Sequence, residues 1–234
     1  MTRSKKPLIG QRTWDRITTQ DRREREKLRR RNNILEAAER RFFEKGFDEV
    51  SMDDIAKDLQ LSKGTLYLYF KNKQSLYFAV VIKGIVILRD TFRKAVESET
   101  TGLKKILAIV QSFYGYLQAH SDYYLLNLAA RGERFVPMFD NNEIEDVETY
   151  IALVVELLNL LKNAVTLGIE DCSLRKDLDP LQTTIFLGMA IEAVVRVTPE
   201  YQGLLQQSGL TTEEYIQHSI DVLLRGIAGE KSDL

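Results

Sequence analysis

Along most of this chain apolar residues recur three and four positions apart, the period of helices that bury one stripe. From Asn33 to Gly46 the stripe is Ile34, Ala37, Ala38 and Phe42, and Lys45 followed by Gly46 gives a basic last turn and a glycine stop. Ser51 is placed to cap a short helix, with Asp54 three residues on imitating a capping box and Ile55, Ala56 and Leu59 as its inner face. After a tight turn at Leu61, Ser62 caps a second short helix through Phe70, with Leu66 and Phe70 inward. Asn72 caps the next element, whose apolar positions Leu76, Val80, Ile87 and Phe92 predict a long helix to about Glu97.

The remainder predicts longer helices. Gly102 to Ala119 carries Ile106, Ile109, Val110, Phe113 and Leu117, and a shorter helix spans Ser121 to Ala130. Pro137 breaks the segment Gly132 to Asp140. Asn142 to Leu167 repeats the stripe from Ile144 to Val165, with Gly168 as its stop. Asp179 followed by Pro180 is a cap with a first-turn proline, starting a helix to about Val197, and a last helix spans about Thr212 to Ile227. The expected fold is all-α, about nine helices: a small N-terminal helix-turn-helix unit and a larger helical unit.

Composition narrows the class. The chain has 234 residues, 44% hydrophobic and 29% charged, as an ordinary globular protein does. Its one cysteine, Cys172, excludes an intrachain disulfide framework and a thiolate zinc cluster. His120 and His218 lie far apart without carboxylates at metal-ligand spacing. No nucleophile–base pair, carboxylate dyad or phosphate-cradling glycine loop is visible, so an enzyme is disfavoured and neither metal nor cofactor is expected. No uninterrupted apolar run approaches the roughly 20 residues that span a bilayer, and the N-terminus has no signal-peptide core. The expectation is a cytoplasmic protein without membrane association.

Charge then changes the picture, because the formal net of −1 hides a split. Residues 1–73 carry 19 Lys and Arg against 12 Asp and Glu, net +7, which leaves 14 against 22, net −8, for the rest. Such asymmetry points to a polyanion at one end. The run from Arg22 to Arg31 is RREREKLRRR, which reads equally as a solvated, salt-bridged helix or a tail.

Two short helices behind a longer one, over residues 33–70, have helix-turn-helix size and spacing. The second begins Ser62-Lys63-Gly64-Thr65, where backbone N–H groups stand beside a lysine, a favourable place for a phosphate, and Gly64 lets the backbone approach closely. Thr65, Tyr67 and Tyr69 project from a face other than the Leu66/Phe70 stripe; core packing of the tyrosines is the competing reading. Lys71 and Lys73 follow at a helix start, where the dipole disfavours cations unless an external phosphate completes the balance.

The stretch Ile34 to Leu76 resembles the DNA-binding domain of the TetR family of transcriptional regulators. The agreement runs through Ala37-Ala38, Phe43, Gly46-Phe47, Ser51, Ile55-Ala56, Leu61-Ser62, Gly64-Thr65-Leu66-Tyr67, Tyr69-Phe70 and Lys73. It covers about a fifth of the chain closely; the rest agrees in helix number, length and the DLDP segment, Asp177 to Pro180. The resemblance implies an all-helical homodimer, most relatives being repressors that leave DNA on binding a small molecule. It divides the chain into a basic extension (1–32), a helix-turn-helix domain (33–76) and an effector-binding and dimerisation domain (77–234). It implies phosphate contacts from Ser51 and Lys73, Tyr67 and Tyr69 against backbone or base edges, and Lys63, Gly64 and Thr65 in the major groove. Leu68 stands where many relatives carry a polar or aromatic residue, so one base contact is missing there or is replaced by apolar packing on a thymine methyl.

The extension admits three readings: a backward continuation of the first helix, an arm entering a minor groove, or a tail with non-specific phosphate attraction. It also holds Trp14, the only tryptophan. In the second half, Phe186, Met189, Ala190 and Val194, with Ile220 and Leu224 on the last helix, form the expected dimer face, against burial within one chain. Phe113, Tyr116, Tyr123, Tyr124, Phe135, Met138 and Phe139 make the middle rich in aromatics, and with Met189 and Glu192 they suggest a pocket for a lipophilic or aromatic effector; ordinary core packing competes. An effector-independent DNA-binding activator or architectural protein is the other function this sequence allows.

Overall fold

The first helix, α1 (Thr19–Lys45), begins well before its apolar stripe does. The computed structural model describes residues 19–132, 135 and 146–230, so Trp14, Met138 and Phe139 lie outside the described residues. Residues 20–30 are all exposed. What holds this part helical is local pairing, with Glu26 receiving Arg29 at 2.9 Å and Arg30 at 3.3 Å, three and four residues on. Of the three readings for the extension, its described part is the backward continuation.

Helices α2 (Met52–Asp58), α3 (Lys63–Tyr67), α4 (Lys73–Glu97), α5 (Gly102–Ala119) and α6 (Ser121–Ala130) follow the expected order. Then come α7 (Val147–Glu170), α8 (Pro180–Val195), α9 (Pro199–Gln207) and α10 (Thr212–Ile227), ten helices and no strand among the described residues. The pattern gave no sign of α9 because it buries none of its residues and so carries no stripe. Pro199, just past the predicted end of the preceding helix, is the first-turn proline of α9.

Helix α4 is the hub. Ser75 through Val81 are buried without interruption, as expected of a helix surrounded on all sides. It packs against α1 near its start and against α5, α6 and α7 along its length, while α8 lies on α7 and α10 on α8 and α5. By length and composition α7 would suffice to cross a bilayer, yet here it walls a bundle, touching α4, α5 and α8.

Gly168 does not stop α7, which runs on to Glu170. Its place is crowded instead: a Cβ on Gly168 would run into the Leu174 side chain, and a Cβ on Gly102 would run into the backbone of Gly168 and the carbonyl of Ala164, so the start of α5 and the end of α7 touch backbone to backbone. The loop after α7 in turn caps α5, the Gly102 N–H donating to Asp171 Oδ2 (2.8 Å) and the Leu103 N–H to Ser173 Oγ (3.1 Å). No rotamer relieves such a clash, so Gly102→Ala should cost about 3 kcal/mol. Gly115→Ala, on an open face of the same helix, should stabilise by about 0.5–1 kcal/mol. Urea unfolding of the two variants checks this; equal effects would contradict the close approach.

Candidate nucleic-acid interface

The helix-turn-helix is assembled by caps. Ser51 Oγ accepts from the Asp54 N–H (3.1 Å) while Asp54 Oδ2 accepts from the Ser51 N–H (3.1 Å) and hydroxyl (2.5 Å), a complete capping box. These bonds, with the Ser51 side chain and backbone, hold the Asp54 carboxyl below its usual range. Arg41 of α1 grips Asp58 of α2 with two hydrogen bonds of 2.6 Å, which holds the Asp58 carboxyl low as well. Between α2 and α3 the chain turns through Gln60 at φ 54°, with the Gln60 N–H on the Lys57 carbonyl (3.1 Å) and the Leu61 N–H on the Ala56 carbonyl (2.9 Å). That pair of bonds is a Schellman ending, whose left-handed residue is usually glycine.

Helix α3 hangs on two buried anchors, Leu66 and Phe70, as their spacing predicted. Ser62 caps it, its Oγ accepting from the Thr65 N–H (3.1 Å) and lying 2.8 Å from Thr65 Oγ1. Lys63 reaches back to Asp53 of α2 at 2.8 Å. Lys63, Gly64, Tyr67 and Leu68 are exposed, Thr65 and Tyr69 half-buried, and Lys71 is exposed just beyond. Leu68 is 79% exposed, a large apolar side chain left in water at the tip of the unit.

Two expected phosphate contacts are engaged otherwise in the protein alone. Lys73 does not stand free at its helix start: its Nζ donates to the Phe47 carbonyl (2.8 Å) and lies 4.2 Å from the Phe47 ring centre. In the protein alone, an internal carbonyl and a π-face thus engage this ammonium at its helix start. The Ser51 hydroxyl is likewise occupied by its capping box.

The aromatic middle of the chain separates into different sites. Phe135, fully buried, stacks on Tyr77 with centroids 5.6 Å apart and meets Phe47 and Phe78 edge-on, so it belongs to the joint between α1 and α4. Tyr123 sits in the crook of α1 and α4: its ring meets Phe43 edge-on at 4.9 Å, and Gly84 makes room for it. Burial pushes its hydroxyl up to about 12. Tyr116 donates to the Gly84 carbonyl (3.2 Å). Among the described residues, neither tyrosine borders the apolar cleft of the bundle, nor does Met189, which is 70% exposed.

A cleft of about 130 Å³ does lie between α4, α5, α7 and α8, walled by Phe92, Phe113, Leu157, Leu161 and Ile191 among others, with Glu192 at its edge. Of the expected effector residues, Phe113 and Glu192 are on it. Tyr124 reaches it indirectly, donating to Glu192 Oε1 at 3.1 Å, and Arg131 grips both Glu192 oxygens. Burial alone would raise the Glu192 carboxyl; the bonds and charge of Arg131 outweigh it and hold it low. Arg131 was not foreseen, since a partner 61 residues distant leaves no periodic signal.

The expected dimer face divides. Phe186 and Met189 are exposed, and Ala190 and Val194 half-buried. Ile220 and Leu224 are buried inside the protomer, filling a seam with Ile106, Val110 and Leu187, so they are core and not outward. The outward apolar stripe is Leu181, Ile185, Phe186 and Met189 on α8, with Val222 on α10.

Residues 34–80 match the family model described as bacterial regulatory proteins, tetR family. The chain is 30% identical over 205 residues to the HTH-type transcriptional regulator YvaF of Bacillus subtilis (strain 168), covering 86% of this chain and 97% of YvaF. It is 30% identical over 122 residues to the HTH-type transcriptional activator FasR of Mycolicibacterium smegmatis, a match spanning 52% of each protein, about half the length of FasR. Among solved structures, the regulator FadR from Bacillus subtilis, in complex with stearoyl-CoA, aligns with a TM-score of 0.63 at 18% identity over 83% of this chain and 98% of that one. At that identity the likeness is one of fold.

The left-handed Gln60 carries a cost of about 1 kcal/mol that glycine would not. Gln60→Gly should therefore raise stability by up to about 1 kcal/mol, read from the denaturation midpoint, with the turn unchanged. A loss of stability would show that the Gln60 side chain does more than fill the position.

Proposed function

The chain belongs to the tetR family of bacterial regulatory proteins and is a helix-turn-helix transcriptional regulator, and from that premise we propose how it works. Two copies read a pseudo-palindromic operator through α3, and the complex is released when a lipophilic effector enters the cleft between α4, α5, α7 and α8. The observation that carries the reading is the outward face of α3. Leu66 and Phe70 anchor it, while Lys63, Gly64, Tyr67 and Leu68 face out with Thr65 beside them. A wet Leu68 costs free energy that packing on a thymine methyl would recover. Tyr69 and Lys71 flank this face, and Ser62 contributes through its cap.

Reading a pseudo-palindrome needs two copies whose recognition helices are about 34 Å apart, or a multiple of it. The stripe Leu181, Ile185, Phe186 and Met189 suits a two-fold helix pairing and is too apolar to be left in water on a stable monomer. In this arrangement residues 33–76 bind DNA and 77–234 sense and dimerise.

The walls of the cleft suit an acyl chain, and FadR, which shares the fold, is described with stearoyl-CoA. At about 130 Å³ the cleft is smaller than the roughly 300 Å³ at which ligand sites begin, so a long chain must widen it. The seam is closed by Glu156 of α7, which holds Arg93 and, at 3.6 Å, Arg89 of α4. A ligand that favours the widened state displaces α4, whose start carries the helix-turn-helix, and so weakens DNA binding by linkage. The name of FasR, an activator, favours a second reading in which the bound state turns transcription on.

Selection of bound duplexes by the full chain, with and without stearoyl-CoA, tests both halves. On the selected sequence Thr65→Ala should bind about tenfold more weakly, with its affinity for random duplex unchanged; an equal loss on both would contradict a base-reading role. Gly188→Phe places a ring where a Cβ meets open space at the cleft, and should keep operator affinity while losing at least tenfold of the response to stearoyl-CoA. If the parent protein binds its operator and ignores stearoyl-CoA, the effector class is wrong and the DNA reading stands.

A further inference from the structure

We infer that the outer half of α1 is a second binding surface for the duplex: Arg22, Arg23, Lys27 and Arg30, with Tyr69, form an open basic groove that grips the phosphate backbone flanking the half-site read by α3. The inference rests on the DNA-binding reading above and extends its footprint. Residues 22, 23, 26, 27 and 30 share one face of a helix. That face carries four cations and one carboxylate, Glu26. Glu26 is spent on neighbours, accepting from Arg29 at 2.9 Å and Arg30 at 3.3 Å, which leaves Arg22, Arg23 and Lys27 exposed.

Three observations make this more than a wet charged helix. The first is that residues 20–30 are all exposed, so among the described residues little packing offsets the mutual repulsion of cations that outnumber their carboxylates six to three. A polyanion would. The second is that Tyr69, two residues past the end of α3, lines the same groove, so the basic face continues directly into the reading unit. The third is that the extension is anchored in place. At its base the Arg31 guanidinium lies 4.7 Å from the centre of the Phe70 ring and 3.5 Å from Asp146 at the start of α7. Phe70 is one of the two anchors of α3, so the groove and the reading face move as one body.

The dimensions fit a backbone. Arg22 to Arg30 rises about 12 Å at 1.5 Å per residue. A duplex offers a phosphate charge about every 1.7 Å of its axis, so several lie within reach of that length. The guanidinium forks of Arg22 and Arg23 suit phosphate oxygens. Nothing in such binding reads sequence; it adds affinity, salt dependence and length of site.

The test compares the full chain with its Arg22→Ala/Arg23→Ala/Lys27→Ala variant on two duplexes, one with long flanks around the selected site and one trimmed to the half-sites. On the flanked duplex the slope of log K against log salt concentration should fall by about 2–3 per protomer, at about 0.9 for each phosphate no longer neutralised. Affinity there should fall at least tenfold near 0.1 M salt. The trimmed duplex should be bound equally by both proteins, and base preference should not change. Because all three residues are exposed, the thermal midpoint should not fall, which separates the effect from misfolding. Glu26→Gln should act oppositely, strengthening binding to the flanked duplex about threefold. An unchanged slope with the parent protein still bound, or an equal loss on both duplexes, would overturn the groove alone. A parent protein that bound no duplex at all would overturn the DNA reading and the groove with it.

Discussion

Tyr77 has to be both buried and hydrogen-bonded, and much of the structure follows from how that is done. Its ring is wholly inside, meeting Phe42 at 5.1 Å and Phe47 at 5.0 Å edge-on and stacking on Phe135. Its hydroxyl donates to the Leu126 carbonyl at 2.8 Å. Leaving such a hydroxyl unpaired would cost about 1–3 kcal/mol. One side chain therefore fixes α4 to α1, to α6 and to the segment that carries Phe135. The helix-turn-helix is not a bead on a linker; its rear wall is the start of the central helix of the bundle.

Around that joint, α6 acts as a strut. On one side Tyr123 lies against Phe43 of α1, and Lys83 of α4 bonds Glu39 of α1 at 2.6 Å beside the same ring. On the other side Tyr124, with Arg131 at the end of the helix, holds Glu192 of α8. The edge of the cleft and the back of α1 are thus joined through one short helix, in parallel with α4. Gly84 is what permits it, since a Cβ there would lie 2.7 Å from that of Tyr123.

What could be read from the sequence follows the range of each signal. The helix-turn-helix was legible nearly residue by residue because its signals are local: Ser51 and Ser62 as caps, and Leu66 with Phe70 as one stripe. Gln60 was not, because its left-handed geometry is imposed by bonds to Lys57 and Ala56 on a residue type that rarely adopts it. The dipole argument correctly marked Lys73 as a cation needing a partner, but the partner is a carbonyl 26 residues earlier. Gly168 looked like a helix stop but answers to packing, since a Cβ there would run into Leu174 beside the close approach of Gly102. Periodicity showed that α8 and α10 each bury a face; it could not say that Ile220 and Leu224 turn inward while Phe186 and Met189 turn out. For the same reason the aromatic middle looked like one pocket, while its described residues divide among a joint, a strut and part of one cleft.

The charge at the edge of the cleft bears on what kind of molecule it admits. Burial would raise the Glu192 carboxyl, and the bonds and charge of Arg131 outweigh it and hold it low. Separating the two would leave a half-buried charge without its partner, a costly state. An anionic head placed at that end would have to take Arg131 from Glu192, whereas an uncharged chain can lie along Phe92, Leu157 and Leu161 with the pair intact. Under the proposed function, apolar walls beside one ion pair suit a ligand that buries its hydrocarbon and keeps its charged end in water. The opposite wall is held by Glu156, which bonds the half-exposed Arg93 and, at 3.6 Å, the more buried Arg89. In the proposed mechanism, widening along the α4–α7 seam would break this group of ion pairs on the helix that carries the helix-turn-helix.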